Sequence, residues 1–258
     1  MHQKQRVESM DMDTAMNINS IFSLFSKPKS ISSITVDIHS HLLPNIDDGV
    51  KTLEESISII KKFKCLGYSK LITTPHIFSD LYPNTKEIIE EKLKIVKTRL
   101  EEEEITMNLE ASAEYYLDME FLNIIEDDNL LPFNNNYILF ETPCSSKLII
   151  LEPAIQALLS NGYIPVLAHP ERYHYLYGDN LEKYRALKRI GVLFQINLKS
   201  LQSQSKSIRT IASKLIKAKL VDFIGSDVHR MSDIMKVEKV LKSREYRKVL
   251  KNSHFLNS

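Results

Sequence analysis

From Ile34 onward, short runs of β-branched and apolar residues alternate with longer stretches of helical periodicity. Seven runs read as strands: Thr35–Ile38, Lys70–Thr73, Asn108–Ala113, Tyr137–Phe140, Pro165–Ala168, Leu193–Asn197 and Asp222–Gly225. The helical stretches between and after them are Thr52–Leu66, Thr85–Glu104, Met119–Glu126, Lys147–Ser160, Asn180–Ile190, Ser205–Lys217 and Asp233–Val240. Thr52 with Glu55 three residues later forms a capping box, and Gly67, Gly162 and Gly191 stand just beyond helix ends. Seven strand–helix repeats predict an α/β fold whose parallel sheet closes, or nearly closes, into a barrel. In that architecture the functional groups gather at the C-terminal ends of the strands, so the residues following each apolar run are the ones to read.

Those residues are nearly uniform in kind. The first strand runs into Asp37-Ile38-His39-Ser40-His41 and then Asp47-Asp48-Gly49, and the second into Thr74-Pro75-His76. The third reaches Glu114, the fourth Glu141, the fifth His169-Pro170-Glu171-Arg172-Tyr173, and the seventh Ser226-Asp227-Val228-His229. The sixth, ending at Asn197-Leu198, offers no strong ligand. Five of the eight histidines fall at strand ends. So many carboxylates cannot stay ionised together at one mouth without cations between them, which predicts a metal site. Imidazole and carboxylate without thiolate suit Mn, Fe or Zn rather than a structural zinc site. His39 and His41, two apart on extended chain, point the same way and can chelate one ion. Nine candidate ligands are too many for one ion, so two or three are expected, the usual device for in-line displacement at phosphorus.

Bulk properties narrow the field. The 258 residues are 43% hydrophobic and 26% charged, enough for one sizeable core and one catalytic domain, expected over residues 34–250. Lys and Arg number 34 against 33 Asp and Glu, for a net charge of +1, so no global field argues for nucleic acid or a membrane surface. Residues 1–33 read as a flexible N-terminal extension with no secretory cleavage site. No apolar run reaches the ~20 residues needed to span a bilayer. With two cysteines and no CxxC pair, the expected compartment is the reducing cytoplasm. A thiol-based phosphatase needs Arg six residues after its Cys; Cys65 is followed there by Leu71 and Cys144 by Ile150, so both read as packing residues.

The ordered motifs His39-x-His41, Asp47-Asp48-Gly49, Thr74-Pro75-His76, Glu114, Glu141, His169 to Tyr173 and Ser226-Asp227-x-His229 resemble the polymerase and histidinol phosphatase (PHP) superfamily. More narrowly, they resemble the manganese-dependent tyrosine-protein phosphatases of bacterial capsule and exopolysaccharide systems. The resemblance implies a distorted (β/α)7, TIM-like barrel and hydrolysis of phosphotyrosine by a metal-bridging hydroxide. The implied partner is a phosphotyrosine-bearing protein, in the first place a bacterial tyrosine kinase. It also implies one metal on His39, His41, Glu114 and Asp227, a second sharing Glu114 and adding Glu141 and His169, and a third on Asp48, His76 and His229. Asp47 is the alternative to Asp48. Arg172 is implied as the phosphate grip, with His229 an aid to the leaving group.

The alternatives are a histidinol-phosphate or other small-molecule phosphatase with the same metals, and a non-enzymatic metal-binding scaffold that docks a partner. A small substrate demands a more enclosed pocket, and a scaffold lacks a catalytic group. Tyr173, Tyr175 and Tyr177 around His174 read either as a substrate rim or as a partly buried loop, and Arg244 to Lys248 as a short basic tail.

Overall fold

Strand and helix alternate as the periodicity predicts, and the parallel pairing turns the alternation into a ring. The protein is described here by a computed structural model covering residues 34–252 and 254–257. The expected 1–33 extension lies outside the described residues. The order is β1 (Val36–Asp37), α1 (Leu53–Leu66), β2 (Lys70–Thr73), β3 (His76–Ile77), α2 (Lys86–Glu102), β4 (Asn108–Ala111), β5 (Glu114–Tyr116), α3 (Met119–Glu126), β6 (Tyr137–Glu141) and α4 (Leu151–Ser160). It continues with β7 (Ile164–Ala168), α5 (Glu182–Arg189), β8 (Leu193–Asn197), α6 (Lys206–Lys217), β9 (Phe223–Gly225), α7 (Met231–Leu241) and α8 (Arg244–Asn252).

Two parallel sheets result, β1-β2-β4 and β3-β5-β6-β7-β8-β9. Strand β3 continues β2 beyond Thr74-Pro75, and β5 continues β4 beyond Ser112-Ala113, so the nine strands make seven segments. The interruption has a local cause: Pro75 has no N–H to give to the ladder, and only its carbonyl stays paired, accepting from Glu114 N at 3.1 Å. The kinks re-aim His76 and Glu114 toward the mouth.

The seam between the first and last segments is stitched largely by side chains. At the upper end Asp227 N donates to His39 O at 2.7 Å and His41 N to Val228 O at 2.9 Å. Below them the Asp37 carboxylate accepts from Ser226 N at 2.8 Å and Ser226 Oγ at 2.7 Å. At the base Asn257 donates to Val36 O and to Ile224 O, each at 2.8 Å. The folded unit therefore runs past residue 250.

Inside the ring, Ile38, Ile72, Phe133, Leu139, Val166, Ala168 and Phe223 form a buried apolar floor. The outward residues of the same strands, such as Leu71, Ile138, Phe140 and Leu167, pack against the helices in the larger core. A wholly apolar floor cannot solvate charge, so polar groups collect above it.

Several element ends differ from expectation for local reasons. Helix α4 begins at Leu151 rather than Lys147, which puts Pro153 in the first turn, where a missing N–H costs nothing. Helix α5 begins at Glu182 rather than Asn180, because Asn180 and Leu181 have φ of 60° and 62°, outside helical space. The expected basic tail is helix α8, which buries Tyr246 and packs Val249 and Leu250 on the core.

Candidate metal centre

The first strand delivers two imidazoles into the space above the apolar floor. His39 and His41 are fully buried, and their Nε2 atoms lie 3.4 Å apart. Each ring is held from behind: His39 Nδ1 lies 2.8 Å from Gln195 Oε1, and His41 Nδ1 lies 2.7 Å from Asp47 Oδ2. With Nδ1 engaged, Nε2 is left to face the mouth, the arrangement that orients imidazoles for metal coordination. His169 repeats it, with Nδ1 3.3 Å from Tyr173 Oη, and so does His229, with Nδ1 3.2 Å from Asp227 O.

The loop Asp47-Asp48-Gly49 separates two adjacent carboxylates by role. Asp47 turns inward, bonding His41 and accepting from Gly49 N at 2.9 Å and His76 N at 3.1 Å. Asp48 turns outward, with Oδ1 3.5 Å from His76 Nε2 and 3.2 Å from His229 Nε2. Gly49 permits this turn, because a Cβ there would fall onto the His41 carbonyl.

Glu114 sits at the centre, fully buried, with Oε2 3.0 Å from His39 Nε2 and Oε1 2.9 Å from His169 Nε2. Glu141 lies 3.2 Å from His76 Nδ1. Both His169 and Asp227 occupy left-handed backbone, with φ of 34° and 51°. Such φ in non-glycine residues costs on the order of 1–3 kcal/mol each and is found where a site over-determines the geometry.

The charge state follows from crowding. Burial alone would lower the pKa of His39, but the Glu114 carboxylate reverses this and holds it above its ordinary value. His41 rises further, as Asp47 and Glu114 outweigh burial, and His76 is raised against burial by Glu114 and Glu141. Burial opposes ionisation of Glu114 and Asp227, yet neighbouring imidazoles, and for Asp227 first Lys199, drive both well below the ordinary carboxylate range. Without metal the carboxylates are balanced by protons on the rings.

The nine expected ligand positions thus meet at one mouth. Among the described residues four sets offer ligand atoms within 4.8 Å of one another: His41, Asp48, His76 and His229; His39, Glu114 and His169; His39, His41 and Asp227; His76, Glu114 and Glu141. His41 therefore reaches the Asp48 set as well as the one expected for it. Arg172 lies on the rim, its side chain 42% exposed and one guanidinium nitrogen 3.8 Å from Asp227 Oδ2. His229 stacks on His41 with ring centroids 3.9 Å apart. This donor set fits two or three divalent ions.

The family described as capsular polysaccharide synthesis, CpsB/CapC, matches residues 35–251. This chain belongs to the CpsB/CapC family. The tyrosine-protein phosphatase YwqE of Bacillus subtilis is 30% identical over 198 residues, covering 76% of this chain and 78% of YwqE. The tyrosine-protein phosphatase CpsB of Streptococcus agalactiae is 28% identical over 203 residues, covering 76% of this chain and 83% of CpsB. A crystal structure from a study of YwqE of Bacillus subtilis and CpsB of Streptococcus pneumoniae, described as metal-dependent tyrosine phosphatases, matches with a TM-score of 0.73 and 27% identity. It covers 86% of this chain and 96% of that one.

Within this CpsB/CapC-family chain, the sixth segment supplies what its ligand-free end conceals. Leu193, Gln195 and Asn197 alternate inward along β8: Gln195 holds His39, and Asn197 Nδ2 donates to Asp227 Oδ2. The available signal was Gln195, an amide on the inward set of an otherwise apolar strand. Lys199 follows at the rim, donating to Asp227 O. The tyrosine loop proves to be scaffold: Tyr173 is buried under His169, Tyr175 Oη lies 2.7 Å from Thr142 Oγ1, and Tyr177 Oη donates to Glu171 O at 2.8 Å. Aromatic surface instead comes from Tyr82, stacked on His76 at 5.6 Å. Cys65 and Cys144 are exposed, correcting their reading as packing residues. Among the described residues no helix is long and apolar enough to cross a membrane.

Proposed function

We propose that this chain is a manganese-dependent protein-tyrosine phosphatase acting in the cytoplasm on a tyrosine kinase of a capsule or exopolysaccharide system, with residues 34–250, extended by the seam contacts of Asn257, as its catalytic domain. The observation that carries the reading is the convergence of His, Asp and Glu side chains on one mouth, with four of the imidazoles braced through Nδ1. In this reading His39, His41, Glu114 and Asp227 hold one ion, Glu114, Glu141 and His169 a second, and Asp48, His76 and His229 a third. Imidazole with carboxylate and no thiolate suits Mn(II), with Fe or Zn the nearest substitutes. Bound there, the ions supply a water that ionises near neutral pH and positive charge against phosphoryl oxygens.

The chain's own groups do the rest. Arg172 presents a planar fork at the rim, able to take two phosphoryl oxygens and the charge that spreads over them in the transition state. Its neighbour Asp227 and the turn Pro170–Arg172 fix where that fork points. The leaving phenolate has a pKa near ~10 and needs little protonation, so the partly buried His229 assists rather than decides the step. A mouth of about 430 Å³, opening into a neighbouring cleft of about 590 Å³, admits a tyrosine carried on a protein tail. Tyr82 offers a face for the phenyl ring.

The test is to assay the manganese-loaded protein on phosphotyrosine peptides and on histidinol phosphate side by side. The proposal expects peptides to be favoured in kcat/KM. Preference for histidinol phosphate selects the small-molecule alternative, and turnover of neither selects the docking scaffold.

A further inference from the structure

The cleft beside the mouth is built from the segment that supplies no ligand and from the helix after the last strand. It measures about 590 Å³ and shares Arg172, Lys199, Asp227, Asp233 and Lys236 with the mouth, so the two spaces are continuous. Its charged lining consists of Arg172, Lys199, Lys236 and Lys239 against Asp227 and Asp233, four cations to two anions. Both anions are already engaged. Asp227 belongs to the ligand set, and Asp233 Oδ1 lies 3.0 Å from Lys236 Nζ and 3.9 Å from Lys199 Nζ. Asp233 thus holds Lys236 directly and lies within reach of Lys199.

Lys236 and Lys239 are three apart on α7, hence on one face, about 4.5 Å apart along the axis. An extended peptide presents side chains on one face roughly 6.6 Å apart, a separation two long and flexible lysine side chains on that face can span. Lys239 is exposed, and among the described residues no ion pair engages it. The wall opposite carries Ser200, Ser203 and Gln204, which can bond a peptide backbone.

We infer that this cleft receives acidic residues flanking the phosphotyrosine, making Lys199, Lys236 and Lys239 specificity-determining residues. The inference rests on the phosphatase reading above and deepens it. Exposed charge pairs each change affinity by up to about fivefold and are weakened by salt. The full-length protein loaded with Mn(II) should therefore favour a phosphotyrosine peptide with Asp and Glu on both flanks over one with Ala by about 5- to 20-fold in kcat/KM at low ionic strength. That ratio should fall toward one in Lys236→Glu and Lys239→Glu, and in wild type at about 0.5 M salt. Lys251→Glu, on α8 and lining a separate cleft, changes net charge equally and should keep the ratio. Equal kcat/KM for the two peptides, or a ratio that survives both cleft reversals, overturns the inference and leaves the phosphatase standing. Turnover of neither peptide overturns both.

Discussion

Asp47 Oδ2 lies 2.7 Å from His41 Nδ1 and also accepts from the backbone of His76, so one carboxylate braces two strand ends. Its neighbour Asp48 points the other way, toward the imidazoles of His76 and His229. Asp47→Ala should therefore lower metal affinity roughly 10- to 100-fold by freeing the His41 ring, the usual cost of losing such a brace. Asp48→Ala removes a group facing the ions and should empty one position instead. Metal titration of the two variants, read as affinity and stoichiometry, distinguishes them; equal stoichiometric loss in both would make Asp47 a ligand.

Neither cysteine stands at the mouth's ligand set, and both are exposed. Cys65→Ser combined with Cys144→Ser should leave kcat within severalfold, because no thiol is placed as a nucleophile. A folded, metal-loaded double variant without activity would rule out water activated at the metal site as the attacking group.

The barrel was legible because buried parallel strands and amphipathic helices have different periods, and the ligand positions because they follow the apolar runs. What stayed hidden is what depends on contacts between distant segments. The break after Thr73 has a local signal in Pro75, which cannot donate to a ladder, whereas the break after Ala111 has none. Gln195 sits 156 residues from His39 in sequence, and Asp37 189 from Ser226, so neither pairing has a local signature. The choice between Asp47 and Asp48 turns on Gly49, whose missing Cβ lets the loop fold onto His41. Helix α8 was legible in principle, since Tyr246, Val249 and Leu250 stand at i, i+3 and i+4, but its many basic residues make it read as a tail.

Raised imidazole pKa values make metal loading a proton exchange. In the metal-free protein His39, His41 and His76 hold protons above their ordinary titration range, and ions can take only neutral rings. Loading near pH 7 should release protons, measurable by calorimetry in two buffers of different ionisation enthalpy. The sign for stability is set by the same shift. A raised histidine pKa contributes stability fully below about 6.5, and loses it as pH rises through the folded-state value. The chelated protein should thus melt at progressively lower temperature as pH climbs above neutrality, while the metal-loaded protein changes little. A metal-free Tm that rises with pH there would contradict the charge balance assigned to these rings.

Arg172 separates catalysis from assembly of the site, since it cannot ligate an ion, but its approach of 3.8 Å to Asp227 obliges metal content to be measured alongside rate. It is carried on a short turn that begins after His169, whose left-handed backbone and the following Pro170 fix the direction of exit. A fork held there binds the spread charge of the transition state better than the ground-state ester if it contributes to catalysis. Arg172→Ala should then lower kcat on the order of 10²–10³-fold with metal stoichiometry unchanged. Arg172→Lys should recover little, because a point charge cannot take two oxygens in one plane. A raised KM with intact kcat would show uniform binding, leaving Arg172 an anchor for the phosphate rather than a participant in its transfer.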